Sequence, residues 1–188
     1  MTAPATPQPR LTHGATPLLL LLTALATALA CHHLRPGDDT FPWDGLRLLQ
    51  AMAPSPTQPC QQHQAPFRFP DTLLHTSHPQ QAAATALRIL QHLFHTLSSN
   101  DSAPQHWNTG ARHHLLYHLQ HYIQRLEQCP TANATLFKRQ RLSIDRYFTH
   151  IQDFLHTHNH SACAWDHVRL EARACFQRLH NLTRTMRR

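Results

Sequence analysis

The chain has 188 residues, 17 Lys+Arg against 10 Asp+Glu, 19 His and a formal net charge of +7. Gly numbers only 4 and aromatics only 7%, while Leu, Ala and Gln abound, which favours helices over sheets. The length suits one domain, and the periodic placing of the apolar residues argues against full disorder; nothing resembles an acidic tail, a coiled coil or a collagen repeat.

The first element is a sorting signal. Arg10 is the only Lys, Arg, Asp or Glu before Arg35, Leu18 to Leu22 is an unbroken apolar run, and Ala28-Leu29-Ala30 puts small residues at a cleavage site. These are the three regions of a secretory signal peptide. The run is shorter than the ~20 apolar residues that span a bilayer, and no later segment reaches that length, so no membrane insertion is expected. Residues 1–30 are therefore read as the signal peptide and 31–188 as the mature domain. Cleavage before Cys31 also resembles a bacterial lipoprotein site, but Ala28 stands where that signal prefers Leu.

Helical periodicity then appears in five places. Residues 41–53 carry Leu46, Leu49 and Met52 behind Thr40, a possible N-cap, with Pro42 in the first turn and Gly45 as a weak point. The Pro-rich stretch 54–79 cannot be helical and reads as a long crossover. Residues 80–98 carry Ala83, Ala86, Leu90, Leu93, Phe94 and Leu97. Residues 105–128 carry Leu115, Leu119, Tyr122 and Leu126, ended by Pro130. A second crossover is expected from Cys129 to Gln140. Residues 141–157 carry Ile144, Tyr147, Phe148, Ile151, Phe154 and Leu155. Residues 163–181 carry Trp165, Val168, Ala172, Cys175, Phe176 and Leu179 on the inward face. Arg169, Arg173 and Gln177 then share an outward face, with Leu170 beside them. Long crossovers between helices point to an all-α bundle in which some neighbours run parallel.

Five cysteines lie after the signal: Cys31, Cys60, Cys129, Cys163 and Cys175. A secreted chain meets an oxidising compartment. An odd count leaves at least one unpaired within the chain, and spacing alone leaves the pairing open. Four of them fall at loops or helix ends. Cys175 sits on the apolar stripe of the last helix and reads as a buried thiol, with a reactive or dimer-forming thiol as the alternative. No CxxC spacing supports a zinc ribbon, a thioredoxin or a haem site. Sequons stand at Asn100, Asn133, Asn159 and Asn181, candidate glycosylation sites of a eukaryotic secreted protein.

The last helix also carries a resemblance. Ser161-Ala162-Cys163-Ala164-Trp165-Asp166-His167-Val168-Arg169-Leu170-Glu171 resembles the CAWE-x-VR-x-E signature of type I interferons. Phe67-Arg68-Phe69-Pro70 resembles the F-G-F-P of their first long loop. Cys31, His106-Trp107, Leu126-Glu127-Gln128-Cys129 and Arg146-Tyr147-Phe148 add weaker matches, in order along the mature chain. The many His and the closing His180-Asn181-Leu182-Thr183 resemble the avian branch. The resemblance implies an up-up-down-down helical cytokine bundle of about five helices. It implies a secreted ligand, not an enzyme, that bridges the two chains of the type I interferon receptor to trigger JAK-STAT signalling and an antiviral state. It also implies bridges Cys31–Cys129 and Cys60–Cys163. The implied receptor residues are Arg169, Leu170, Arg173 and Gln177 in the last helix, with Gln61, Gln64 and Phe67 in the facing loop. Where mammalian members carry Leu and Arg after the loop cysteine, this chain has Gln61 and Gln64. Ala174 stands at the position of a second family Arg, with Arg173 adjacent.

No nucleophile elbow, P-loop, HExxH or dinucleotide fingerprint is present, and no cofactor is implied. His114, His118 and His121 share one side of a helix, at a spacing that can hold Zn²⁺. With no Cys or carboxylate beside them in sequence, they are read as a solvated face. Lys138, Arg139, Arg141 and Arg146 form the densest basic cluster. It suits heparan-type polyanions, although a plain charged helix face is the simpler reading. Lacking interleaved aromatics, it gives no support for specific nucleic-acid binding. The alternative function is a secreted His-rich metal- or polyanion-binding protein.

Overall fold

The computed structural model describes residues 41–53, 67–99, 107–128 and 134–186, the side chains of 134–136 excepted. The described residues form helices α1 (Phe41–Met52), α2 (Pro79–Ser98), α3 (Thr109–Glu127), α4 (Ala134–Thr157) and α5 (Ala162–Met186), with a short 3-10 turn at Asp71–Leu74 and no strand.

Contacts fix the direction of each helix. The Asn108 amide donates to the Met52 carbonyl at 2.8 Å while Phe41 stacks on Tyr122 at 4.4 Å, so the end of α1 meets the start of α3. Phe41 meets Phe176 at 6.2 Å, and Gln50 shares a groove with Arg169, so α1 is also antiparallel to α5. Arg112 Nε donates to the Leu97 carbonyl at 2.9 Å and Gln91 Nε2 to Glu127 Oε1 at 3.2 Å, which makes α2 antiparallel to α3. Arg88 reaches Asp145 at 2.6 Å and Gln152 donates to Thr96 at 2.8 Å, so α4 runs parallel to α2. Helices α1 and α2 thus run up and α3 and α5 run down, each touching both helices of opposite direction. With α4 laid along α2 and α5, this is the up-up-down-down cytokine bundle.

One core fills the bundle. Trp165, Phe148 and Phe176 are its largest fully buried side chains, and Trp107 meets Trp165 edge to face at 5.1 Å. Burying each such side chain contributes about 1.5–3 kcal/mol. Gly45 has a packing reason rather than being a defect of α1. A Cβ there would lie 2.5 Å from Phe176 Cε1, so only glycine lets α1 come this close to α5.

The helix boundaries depart from the sequence reading in three places. Helix α4 begins at Ala134, not 141, so most of the expected second crossover is helix. The charged run Lys138–Arg141 hides its apolar period, yet nothing between Ala134 and Thr157 breaks a helix. Helix α3 begins at Thr109, not 105, because the Asn108 side chain caps it by accepting from the Ala111 amide at 2.8 Å. Helix α5 runs on to Met186, with Leu182 and Met186 buried. The expected signal region 1–30, Thr40, Cys31, Cys60, Cys129 and the first part of the Pro-rich crossover lie outside the described residues. None of the described helices is long and apolar enough to cross a membrane.

Candidate functional site

A groove of about 240 Å³ runs between α1 and α5. Trp43, Leu46, Arg47, Leu49 and Gln50 line it from α1, and Arg169, Arg173 and Gln177 from α5. Trp43 is half exposed at 52%, its ring 5.1 Å from that of His180, and Arg47, Arg173 and Gln177 are exposed on the rim.

Arg169 departs from expectation. Helical period puts it on an outward face with Arg173 and Gln177, but it is only 4% exposed and forms the floor of the groove. Helix α5 packs on α1, α2 and α4, so its buried arc is wider than the single apolar stripe that periodicity assumes. Among the described residues Arg169 Nε has no hydrogen-bond partner. Its nearest carboxylate oxygen, Asp166 Oδ1, lies 3.9 Å away. A buried guanidinium nitrogen left without a hydrogen bond is costly. With Arg47 and Arg173 around it, the groove is suited to a carboxylate carried on an apolar stem: forked donors on one side, an indole face on the other.

The remaining expected site residues are scattered. Leu170 is 49% exposed beside the groove but does not line it. Phe67 is not at the groove; its ring sits edge-on to Phe154 of α4 at 5.1 Å. Gln61 and Gln64 lie outside the described residues. The opposite wall, Trp43 and Arg47, carries no motif in the sequence. Its signal was an i, i+4 pair on the side of α1 away from Leu49 and Met52.

Further along α5 is a second polar cluster, and it is closed. Arg178 Nη1 donates to Glu171 Oε1 at 2.9 Å, Tyr147 donates to the same oxygen, and Arg178 Nε lies 3.6 Å from Asp71. The Arg178 guanidinium also covers the Phe69 ring at 4.3 Å, and Phe69 meets Tyr147 edge-on at 5.1 Å. Burial works against the Arg178 cation, but Glu171 outweighs it and raises its pKa. Cys175 is a free, fully buried thiol 3.5 Å from the Tyr147 hydroxyl, and burial pushes it up to about 11. A thiol so protonated and enclosed is a poor nucleophile. Cys163 is disulfide-bonded.

Lys138, Arg139, Arg141 and Arg146 are all exposed along α4, with Arg141 3.7 Å from Asp145. Of the sequons, Asn159 is exposed on the α4–α5 turn at φ 48°. Asn181 is exposed on α5, but its Thr183 is buried with its hydroxyl donating to the His180 carbonyl at 2.7 Å. Asn100 and Asn133 lie outside the described residues.

Residues 34–186 match the family model described as an interferon alpha/beta domain. The chain is 50% identical to Interferon type B of Gallus gallus, over 90% of this chain and 86% of that one. It is 48% identical to an interferon of Meleagris gallopavo over the full length of both, and 30% identical to Interferon alpha-3 of Canis lupus familiaris over 91% and 94%. Its structure superposes on zebrafish interferon 1 with a TM-score of 0.65 over 78% of this chain and 94% of that one, at 19% identity, a likeness of fold. With a family model matched across nearly all of the described bundle, the chain belongs to the interferon alpha/beta family.

Proposed function

We propose that this chain is a secreted cytokine that bridges the two chains of the type I interferon receptor, triggering JAK-STAT signalling and an antiviral state. The α1–α5 groove is the contact for one of those chains. The observation that carries this assignment is Arg169: a 4% exposed guanidinium lining an open groove, whose Nε has no hydrogen-bond partner among the described residues. A receptor acid entering between Arg169 and Arg173 would complete the pairing that the fold leaves open, and Trp43 supplies the aromatic rim that interface hot spots favour. The direct test is surface binding to the receptor ectodomains by the wild type and by Arg173→Ala, whose side chain is exposed. A loss of about 1–2 kcal/mol with an unchanged melting temperature supports the site. Unchanged affinity moves it elsewhere. In cells the chain should induce an antiviral state at low concentration without added metal, which a metal or polyanion scavenger would not do.

Two further assignments belong to this reading. The bridges are Cys31–Cys129 and Cys60–Cys163, supported by a bonded Cys163 and a free Cys175. Each closes a loop of about 100 residues, which the chain-entropy model values at ~4–5 kcal/mol. Non-reducing peptide mapping tests them, and any bridge to Cys175 within the chain would refute the scheme. A heparan-type polyanion would bind through Lys138, Arg139, Arg141 and Arg146, and heparin retention that persists after their replacement would exclude it.

A further inference from the structure

The geometry points to a divalent transition-metal site on the outer face of α3, built from the His114 and His118 imidazoles. The spacing made these residues candidates, and the fold now brings two of their ring nitrogens together. Nε2 of His118 lies 3.0 Å from Nε2 of His114, with the rings tilted 47° and their centroids 4.7 Å apart. Two nitrogens that each bind one tetrahedral Zn²⁺ at ~2.0–2.1 Å stand roughly 3.3–3.4 Å apart. Small side-chain rotations open the pair to that separation. The short contact is now a hydrogen bond, in which one ring holds its proton on Nε2 and the other offers a lone pair. Moving that proton to Nδ1, where solvent accepts it, turns both Nε2 lone pairs to the same point, and the cation replaces the shared proton. This is the i, i+4 pairing by which helices present two imidazoles to zinc.

The surroundings favour a ligand role. Burial, and then the neighbouring His114 and His121, hold His118 below the usual imidazole range. Asp44 of α1 acts on His118 in the opposite sense, favouring positive charge there, and would do the same for a bound cation. The third member of the row does not join: no group of three metal-binding side chains exists among the described residues. The pair therefore supplies half a tetrahedral shell and water the rest. Such a borderline nitrogen site takes Zn²⁺, and Cu²⁺ more tightly.

The test is zinc titration of the chelator-stripped, disulfide-intact secreted chain by calorimetry, alongside histidine side-chain NMR. His114 and His118 resonances should respond together and before those of other histidines. Losing a group that merely orients a ligand costs ~10–100-fold in affinity, so His114→Ala and His118→Ala should each weaken the first equivalent about tenfold or more. Alanine is the better helix former, so both variants should fold, which circular dichroism checks. His121→Ala and His95→Ala should leave that equivalent unchanged. First-equivalent binding that survives both clip variants, or that falls as much with His121→Ala, would overturn the site.

Discussion

Two arginines on α5 show how one helix divides its work. Arg178 is enclosed by partners of its own chain: Glu171 at 2.9 Å, Asp71 at 3.6 Å and the Phe69 ring at 4.3 Å. Through them it fastens the end of the first long crossover to the bundle. Arg169 is more deeply buried, yet among the described residues its nearest carboxylate oxygen is 3.9 Å away and its Nε has no hydrogen bond. The same side chain is a closed structural joint in one place and an open socket in the other. The difference lies in what the neighbouring elements bring. The crossover delivers an acid and an aromatic ring to Arg178, whereas α1 delivers Arg47, Gln50 and Trp43 to the groove.

Substitution by methionine separates the two. Arg178→Met should leave the Glu171 carboxylate, at 16% exposure, without its cation and with the Tyr147 hydroxyl as its remaining described donor, and release Phe69, costing about 2–3 kcal/mol, toward the low end for a broken buried pair because Arg178 is itself 22% exposed. Urea unfolding measures it, and a cost under about 0.5 kcal/mol would class the joint with ordinary surface pairs. Arg169→Met should do the reverse. Removing a buried cation whose nearest described carboxylate is 3.9 Å away should raise stability by about 1 kcal/mol, as at sites kept for function. Receptor affinity should fall by about 2 kcal/mol or more. A variant that binds normally would show that the socket is empty of purpose. Gly45→Ala sharpens the comparison from the α1 side. Its Cβ would meet Phe176 at 2.5 Å. The overpacking costs about 1–3 kcal/mol, more than the up to ~1 kcal/mol gained in helix propensity. Thermal melting should therefore show a net loss, and the groove, which opens between the same two helices, should bind receptor less tightly.

The periodic stripes of α2, α3 and α5 and the family motif around Cys163 made the bundle legible, because a core that must be apolar every three or four residues leaves its mark in sequence. What stayed hidden depends on how helices sit against each other. Arg169 looked outward because periodicity assigns one buried stripe per helix, and α5 packs on several helices. Trp43 and Arg47 carried no motif, and only the approach allowed by Gly45 turns them into a wall. Phe67 matched the family loop but lies against Phe154, away from the groove. The start of α4 was hidden by its charges. The His row was visible as spacing, while the convergence of two rings out of three depended on rotamers.

The smallest effect concerns the third charged cluster, between α2 and α4, and tests whether a partnered charge always behaves like Arg178. Asp145 takes Arg88 Nε at 2.6 Å and His92 Nε2 at 2.8 Å, and His92 stacks flat on Phe148 at 4.6 Å. Burial works against the Asp145 carboxylate, but its hydrogen bonds to Arg88 and His92 win and hold it below the usual range. Burial lowers the His92 pKa too, with Asp145 opposing and Arg88 and His95 reinforcing. Both groups have folded-state values depressed below their unfolded ones. The unfolded chain therefore takes up protons first as pH falls, and stability must drop with it. For His92 the loss sets in as pH falls through the ordinary imidazole value of 6.5, and for Asp145 only as it falls through the ordinary carboxylate value of 3.8. Between pH 7 and pH 5 Asp145 keeps its charge in both states and adds little to the slope, whereas His92 does contribute. The melting temperature of wild type should decline across that window more than that of His92→Gln, which keeps a polar group but cannot titrate. The other histidines contribute the same background to both chains, so the difference between the two slopes isolates His92. Equal slopes would mean that the Asp145 hydrogen bond balances burial, leaving His92 as indifferent to folding as a surface histidine.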